Sequence, residues 1–465
     1  MKLIKGKLRL VALALSLMLV TLIVYGAYSL GLSGNRWFSS SINTSLRKVR
    51  ADVIPGRIYD RNGIQLAGSN TAGDRLYHQD ELTRRGLVHA LGMKDGTVKN
   101  GVEVFLSYLL YAYDASYLSR LTAAFTGQMR QGYDLRLSLS SGLSRLVAEQ
   151  FPAGKAGAVV VMNYRTGELL TLASFPNFDP LRAQGVLGDP QKPYINNATQ
   201  WRSAPGSTFK VITMAAALQH IPDVRSRTFT CEGELPVGDI VITDALNARH
   251  GQISLERALS ISCNITFAQL ALELTDEQLR QTARAFGLDD HVLFSDLVVE
   301  DSSYPTSNRV PKELAWTGPG QSALHITPLQ MCMAAAAIAN DGVMMEPKLL
   351  LQAVDSRKVG KSQMVPTVYR TPLNRSEAKI IAQAMRQAVA GGTATRARVA
   401  GLQVAGKTGS AQVDRQELTN AWFIGFLDEP TLPYALCVVV MDAGEGSRHA
   451  APLAGKIFQY IKDNQ

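Results

Sequence analysis

Ser207 and Lys210 are the residues of this chain whose types and spacing most readily suggest covalent chemistry. Pro205 and Gly206 precede the pair, and small and apolar helix formers follow, so a helix is predicted to begin at Ser207. Residues three apart share one helix face, where the amine can reach the hydroxyl. The positive helix N-terminus and burial against the apolar run would lower the pKa of the amine, as a general base requires. The pair therefore predicts a serine nucleophile with a lysine base.

A Ser-x-x-Lys pattern is weak by itself, because it occurs by chance and a solvated pair is the ordinary interpretation. Two further constellations strengthen it. Ser-Cys-Asn at 262–264 interrupts an apolar helical pattern, and Lys-Thr-Gly at 407–409 precedes the strand of Trp422, where a glycine lets a ligand approach the backbone. Each alone is also typical of a helix cap or a solvated edge strand. The order of the three patterns and the wide spacing between them carry more information together than any one pattern does alone.

The N-terminus carries an uneven share of the net charge of +9. Lys2, Lys5, Lys7 and Arg9 precede any acidic residue, and residues 10–30 contain no charge. Such a stretch is long enough to span a bilayer, and no convincing signal-peptide cleavage site follows it. We therefore expect a single-pass transmembrane anchor, with residues 1–9 cytoplasmic and the chain after residue 30 extracytoplasmic.

The remaining composition excludes several classes of function. The rest of the chain has an excess of about five positive charges but no basic run with interleaved aromatic residues, so nucleic acid is not an expected partner. The cysteines are too few and scattered for a disulfide framework or a zinc site, and buried free thiols are expected; they are Cys231, Cys263, Cys332 and Cys437. The seven histidines are dispersed. No cofactor or metal is expected.

Two domains are predicted after the anchor. Residues 31–133 would form a short pedestal domain, with a hairpin over 53–67 around the turn Asp-Arg-Asn-Gly and a helix over 102–112. This part contains no catalytic constellation. The second domain would extend from Asp134 to residue 465 and carry every candidate site residue.

The second domain shows strand patterns at both ends. A helix is predicted over 143–151 and a hairpin of two apolar strands around 165–167, whereas residues 403–441 contain three more predicted strands before a closing helix over 451–464. Residues 207–338 are mostly helical in pattern. The predicted fold class is therefore α+β, with an antiparallel five-stranded sheet built from both ends of the domain and covered by helices.

The combined motifs resemble those of the penicillin-binding protein transpeptidases, active-site serine acyl transferases related to the serine β-lactamases. The segments that carry this resemblance are PGSTFK at 205–210, HGQISLERALSISCN at 250–264, TPLQMCMAAAAIANDG at 327–342, AGKTGSAQ at 405–412 and NAWFIGF at 420–426. Upstream, PGRIYDRNGIQLA resembles the pedestal of the monofunctional class B branch. The pedestal is short for class B, and Ser410 stands where the family often has threonine.

The resemblance implies a peptidoglycan D,D-transpeptidase that is inhibited covalently by β-lactam antibiotics. Ser207 would attack the carbonyl between the two D-alanines of a stem peptide, with Lys210 accepting its proton. Ser262 would relay a proton to the leaving D-alanine. Asn264 would bind the substrate backbone and position Lys210. An amine of a neighbouring strand would then take the acyl group.

Substrate recognition is assigned to the third motif by the same resemblance. Lys407 would supply positive charge near the terminal carboxylate, which the hydroxyls of Thr408 and Ser410 would bind. Gly409 would allow the substrate to approach the strand. The backbone N–H groups of Ser207 and Ser410 would form the oxyanion hole.

Two alternatives remain open from the sequence. A membrane-bound serine β-lactamase of class A would need a Glu-x-x-Asn loop, which neither Glu300 nor Glu313 supplies. A β-lactam-sensing receptor would need a cytoplasmic output domain, for which residues 1–9 leave little room. Class B enzymes act beside a polytopic membrane glycosyltransferase of the FtsW/RodA type, so the resemblance implies such a partner.

Overall fold

The computed structural model describes residues 2–39, 53–113, 122–123, 125–291, 294–305, 310–413 and 418–464. The α-helices in this part of the chain are α1 Lys2–Ser39, α2 Glu81–Leu91, α3 Val102–Phe105, α4 Ser107–Leu110, α5 Ser141–Gln150, α6 Lys210–His220, α7 Leu255–Ile261, α8 Asn264–Glu273, α9 Asp276–Ala285, α10 Pro311–Thr317, α11 Pro328–Ala339, α12 Arg375–Gly391 and α13 Ala450–Asn464.

The strands of the N-terminal part are short. They are β1 Val53–Ile54, β2 Ile58–Tyr59, β3 Gln65–Ser69, β4 Arg75–Tyr77, β5 Arg130–Gln131 and β6 Asp134–Leu137. The remaining strands are β7 Gly157–Asn163, β8 Leu169–Phe175, β9 Thr228–Cys231, β10 Glu234–Val237, β11 Ile240–Thr243, β12 Gly251–Ser254, β13 Met344–Met345, β14 Leu350–Val354, β15 Gly360–Gln363, β16 Val368–Arg370, β17 Val404–Val413, β18 Leu418–Leu427 and β19 Tyr434–Val440.

The helix α1 contains the stretch predicted to be a transmembrane anchor. Its central apolar side chains are exposed, with Leu13 at 72% and Leu17 at 69% of their full accessibility. None of the helices within the described ranges meets the length and apolarity expected of a membrane crossing. The pedestal is predicted to begin at residue 31, but residues 31–39 belong to α1, and residues 40–52 lie outside the described residues.

The predicted N-terminal hairpin is confirmed. Strands β2 and β3 pair antiparallel across the turn, in which Gly63 has φ +84°. The buried Asp60 carboxylate accepts hydrogen bonds from the backbone N–H groups of Asn62 and Ile64 and from the Ser141 hydroxyl, so its burial is compensated. The single helix predicted over 102–112 is wrong, because the chain breaks at Leu106 into the short helices α3 and α4.

A six-stranded mixed sheet joins chain segments from both sides of the predicted domain boundary. Its strand order is β15-β14-β6-β2-β3-β4. Strand β6 pairs parallel with β2 of the pedestal region and antiparallel with β14, which lies more than two hundred residues further along the chain. Residue 134, at which the second domain is predicted to begin, is therefore the first residue of a strand shared by both regions.

The main sheet has the predicted five antiparallel strands, in the order β17-β18-β19-β7-β8. The hairpin β7–β8 comes from the start of the domain, and the other three strands come from its end. Alternate side chains point to opposite faces of a strand. Accordingly Val159 and Val161 pack in one core, whereas Val160 and Met162 pack in the other.

Helices cover both faces of this sheet, as predicted. Helix α11 contacts β7, β18 and β19 on one face, whereas α5 and α13 pack on the other. Burial on both faces explains why β7 and β19 are almost entirely apolar and do not alternate with polar residues. The expectation that residues 207–338 are mostly helical is only partly correct. Strands β9 to β12 form two small hairpin-like sheets between α6 and α7.

Candidate active site

Ser207 lies in a tight helical turn at the start of the central helix. The segment Gly206–Phe209 forms one 3-10 turn, and α6 continues from Lys210, so the predicted helix start is confirmed. Gly206 has φ +56°, a conformation that an L side chain rarely adopts. Ser207 is half-buried and lines a cavity of about 340 Å³.

The serine turn is packed against the edge of the main sheet. A Cβ atom at Gly409 of β17 would lie 2.8 Å from the Pro205 carbonyl oxygen and 3.0 Å from a Thr208 methyl carbon. The Thr208 hydroxyl also donates a hydrogen bond to the Pro205 carbonyl at 2.8 Å. Gly409 therefore allows β17 to approach the turn closely and fixes the position of Ser207.

Lys210 is fully buried directly beneath the serine turn. Its Nζ atom donates to the Ser262 carbonyl at 2.6 Å, to the Asn264 Oδ1 atom at 2.7 Å and to the Ser262 hydroxyl at 3.3 Å. Burial lowers the pKa of the Lys210 amine to about 8, while the Asp244 carboxylate and the Cys263 thiol oppose the shift. The amine is thus close to the neutral form that a base requires at physiological pH.

Ser262 marks a break between two helices on the opposite wall of the cavity. Helix α7 ends before it and α8 begins at Asn264, and Ser262 itself adopts the left-handed conformation with φ 66° and ψ 34°. Such a conformation at a non-glycine residue costs about 1–3 kcal/mol and is common at active sites. The Cys263 Sγ atom caps α8 by accepting from the Thr266 N–H.

Lys407 approaches Ser262 from the main sheet. It is fully buried, and its Nζ atom donates to the Ser262 hydroxyl at 2.8 Å and to the Thr408 carbonyl at 2.9 Å. Burial lowers the pKa of Lys407 well below its usual value, and repulsion from Lys210 adds to this effect. The Ser262 hydroxyl consequently lies between two amines, which is a suitable position for a proton relay.

The third motif lies on β17, the edge strand that borders the cavity. Thr408, Gly409 and Ser410 all line the cavity. The Thr408 hydroxyl donates to Thr393 Oγ1 at 2.9 Å, and the Ser410 hydroxyl accepts from the Gly446 N–H at 3.3 Å. An edge strand offers unpaired backbone groups to which an extended peptide can bind as an additional strand.

Six of the eight predicted site residues therefore line one cavity, and the other two, Lys210 and Lys407, reach it through hydrogen bonds to Ser262. One predicted contact is missing. Within the described residues, no hydrogen bond joins the Ser207 hydroxyl to the Lys210 amine, which instead points to Ser262 and Asn264. Catalytic hydrogen bonds are often loose without substrate. The individual catalytic roles remain predictions.

Asp244 is a residue beside the site that the sequence reasoning missed. Its buried Oδ1 atom accepts from the Asn264 N–H at 3.2 Å and from the Ala245 N–H at 3.0 Å, so it ties the Ser262 wall to the loop after β11. Nothing in the local sequence signals this role, because Asp244 and Asn264 are 20 residues apart.

The cysteines were expected to be too few and too scattered for a disulfide framework or a zinc site, but two of them, Cys231 and Cys263, lie close together. Cys231, Asp244, His250 and Cys263 each place a potential ligand atom within 4.8 Å of the others. Two thiols, an imidazole and a carboxylate form a donor set that suits zinc. The pairing of β9 with β12 brings Cys231 and His250 together. All four cysteines are buried and free, as predicted.

Comparison with known proteins agrees with this geometry. Residues 157–459 match the profile of the penicillin binding protein transpeptidase domain. The peptidoglycan D,D-transpeptidase PbpA of Mycolicibacterium smegmatis is 31% identical over 365 residues, which cover 72% of this chain and 73% of that protein. Stage V sporulation protein D of Bacillus subtilis is 31% identical over 71% of this chain and 53% of its own length.

Solved structures show the same architecture. Penicillin-binding protein A from M. tuberculosis, in a ceftriaxone acyl-enzyme complex, superposes with a TM-score of 0.80 at 26% identity, covering 89% of this chain and 99% of that one. Pseudomonas aeruginosa PBP2 superposes with a TM-score of 0.72 at 26% identity, covering 88% and 96%. The chain belongs to the penicillin-binding protein transpeptidase family, which confirms the resemblance noted in its motifs.

Proposed function

We propose that this chain cross-links peptidoglycan by acyl transfer from D-Ala-D-Ala stem peptides, as a D,D-transpeptidase that β-lactams inhibit covalently. The observation that carries this proposal is the Lys210 amine, buried beneath the Ser207 turn and hydrogen-bonded to both Ser262 and Asn264. This arrangement combines a nucleophile, a base of lowered pKa and a proton relay in one cavity.

Acylation follows from the positions of these groups. The Ser207 hydroxyl attacks the carbonyl carbon between the two alanines as Lys210 accepts its proton. The Ser262 hydroxyl, 3.3 Å from Lys210 Nζ, passes a proton to the nitrogen of the departing D-alanine. Backbone N–H groups of Ser207 and Ser410 would stabilise the oxyanion, a contribution of about 3–4 kcal/mol for one such donor.

Substrate binding is assigned to β17. A stem peptide would lie along this edge strand and pair with its backbone. Its terminal carboxylate would contact the hydroxyls of Thr408 and Ser410. The negative charge of this carboxylate would oppose the lowered pKa of Lys407 and favour its ammonium form. The burial of Lys407 supports a role in the network around Ser262 as well as in attraction of the carboxylate.

We further propose that residues 10–30 anchor the chain in the cell membrane, with residues 1–9 cytoplasmic and the catalytic domain outside. The absence of charge in this stretch and the basic residues before it support this topology. A polytopic membrane glycosyltransferase of the FtsW/RodA type would supply the glycan strands.

Two measurements test the function. Fluorescent penicillin should acylate the purified extracytoplasmic part at Ser207. The full chain, supplied with nascent peptidoglycan, should produce cross-linked muropeptides. Rapid release of hydrolysed penicillin without any cross-links would support the β-lactamase alternative. A stable adduct without cross-links would support the receptor alternative.

Membrane topology requires a separate experiment. Protease added to intact cells should remove the catalytic domain, and the full-length chain should sediment with membranes and resist salt extraction. A mature soluble chain beginning near residue 31 would contradict the anchor.

A further inference from the structure

The loop after β19 contributes a charged residue to the rim of the catalytic cavity. Glu445 and Ser447 line the same cavity as Ser207 and Ser410. Among the described residues that line it, Glu445 is the only one with an ionisable side chain. The mechanism of acylation makes no use of this carboxylate.

The loop is held against the catalytic strand, so the position of Glu445 relative to the cavity is defined. The N–H of Gly446 donates to the Ser410 hydroxyl at 3.3 Å. A Cβ atom at Gly446 would collide with the carbonyl oxygens of Trp422 and Gly409, which shows how closely the loop packs on β17 and β18. Any displacement of the loop would break these contacts.

The carboxylate itself remains available to a ligand. Its side chain retains 55% of its full accessibility. Its polar contacts within the described residues both involve Oε2, which accepts from the Ser447 hydroxyl at 3.1 Å and pairs with Arg448 Nε at 3.1 Å. Arg448 is itself 67% exposed, and an ion pair between exposed groups is worth only about 0–1 kcal/mol. An incoming ammonium group can therefore compete for this carboxylate.

The second half-reaction needs a group of this kind. After acylation, the enzyme must bring an amine, which is a cation in water, to an ester at Ser207 in preference to the abundant solvent. The lysines at the base of the cavity cannot attract a cation. A carboxylate at the rim raises the local concentration of ammonium groups by electrostatic attraction.

We propose that Glu445 recognises the primary ammonium group of the acceptor strand and directs it to the acyl-enzyme. This inference rests on the proposed transpeptidase function and specifies its second substrate. The ammonium loses one proton to solvent, and its nitrogen then bonds to the ester carbon. The bond from that carbon to Ser207 Oγ breaks, and the second proton passes through Lys210 to Ser207.

The test separates acceptor recognition from acylation. A D-alanyl thioester serves as donor, and the partition of the acyl-enzyme between aminolysis and hydrolysis is measured with glycinamide or with hydroxylamine. Glycinamide is largely cationic at neutral pH, whereas hydroxylamine is largely uncharged. In Glu445→Gln, aminolysis by glycinamide should fall about tenfold relative to hydrolysis, which corresponds to about 1.4 kcal/mol. Aminolysis by hydroxylamine and acylation by penicillin should stay within about twofold of wild type.

Glu273→Gln provides a matched control. Glu273 is likewise a partly exposed glutamate paired with an arginine, Arg227, but it does not line the cavity. This variant should behave as wild type with both amines. Glu445→Asp should retain part of the preference for glycinamide, because the charge remains.

Three results would overturn the inference. The first is an unchanged ratio of aminolysis by glycinamide to hydrolysis in Glu445→Gln. The second is an equal loss of aminolysis by hydroxylamine in that variant, which would indicate a structural effect. The third is an equal loss of aminolysis by glycinamide in Glu273→Gln. If wild-type enzyme acylates but transfers the donor to no amine, the transpeptidase function itself fails and the inference fails with it.

Discussion

The two walls of the catalytic cavity are constructed differently. The Ser207 wall is a continuous helical turn that runs into α6, and Gly206 and Gly409 allow the sheet to pack tightly on it. The Ser262 wall is a break between α7 and α8, in which a serine holds a left-handed conformation. Polar side chains from three other parts of the fold, those of Lys210, Lys407 and Asp244, form hydrogen bonds with that break.

This difference separates two requirements of the reaction. The nucleophile needs a rigid position, which close packing of small residues provides. The proton relay needs polar partners on several sides, and only elements distant in the chain can supply them. Perturbing the first wall should therefore affect position and covalent chemistry, whereas perturbing the second should affect proton transfer.

Removal of the nucleophile should have the largest effect. Ser207→Ala should abolish covalent labelling by fluorescent penicillin, because the other hydroxyl of the serine turn, that of Thr208, is buried and donates to the Pro205 carbonyl. Labelling is measured on denaturing gels, with thermal unfolding as the control for folding. Labelling that persists in this variant would reject Ser207 as the nucleophile.

Removal of the base should be nearly as severe. Lys210→Ala should slow acylation by about 10²–10⁴-fold, the range for general-base catalysis. With a pKa of about 8, the amine is protonated at lower pH and cannot accept a proton, so the wild-type acylation rate should rise between pH 6 and about 8 and then level off. Stopped-flow kinetics with a chromogenic β-lactam measure this profile. A flat profile, or near wild-type acylation by the variant, would make Lys210 structural only.

Two substitutions at Ser262 distinguish the relay from the backbone strain. Ser262→Ala and Ser262→Gly both remove the hydroxyl, so the two variants should slow acylation equally, by at most about 10²–10⁴-fold. Only glycine adopts φ 66° readily, so the Gly variant should be more stable than the Ala variant by about 1 kcal/mol. Chemical denaturation measures the difference. Equal stabilities would show that the left-handed conformation is not strained.

Gly409→Ala should have the smallest effect on acylation but a measurable effect on stability. The added methyl group would press on the Pro205 carbonyl, and such overpacking costs about 1–3 kcal/mol. Acylation should slow several-fold as the Ser207 turn shifts. Gly391→Ala, which adds a methyl group in open space, is the matched control. If both variants unfold at the same temperature as wild type, close packing of β17 against the Ser207 turn does not contribute to stability.

Local patterns determined a large part of this protein. Apolar runs predicted central strands of the main sheet such as β7 and β19, since strands buried on both faces need apolar residues almost throughout. The turn over 60–63 predicted its hairpin, because Asn-Gly supplies the positive φ that a tight turn requires. The helix start at the Ser207 turn was also predictable, because Pro205 and Gly206 precede small and apolar helix formers.

The tertiary structure alone decided how the motifs meet. Lys210 and Ser262 are 52 residues apart and Lys407 and Ser262 are 145 apart, so no local periodicity connects their amines to one hydroxyl. The same limit explains the missed Asp244, the pairing of β9 with β12 and the meeting of Cys231 with Cys263. Such contacts depend on which surfaces the whole chain buries together, and that outcome is a property of the complete fold and not of any one segment.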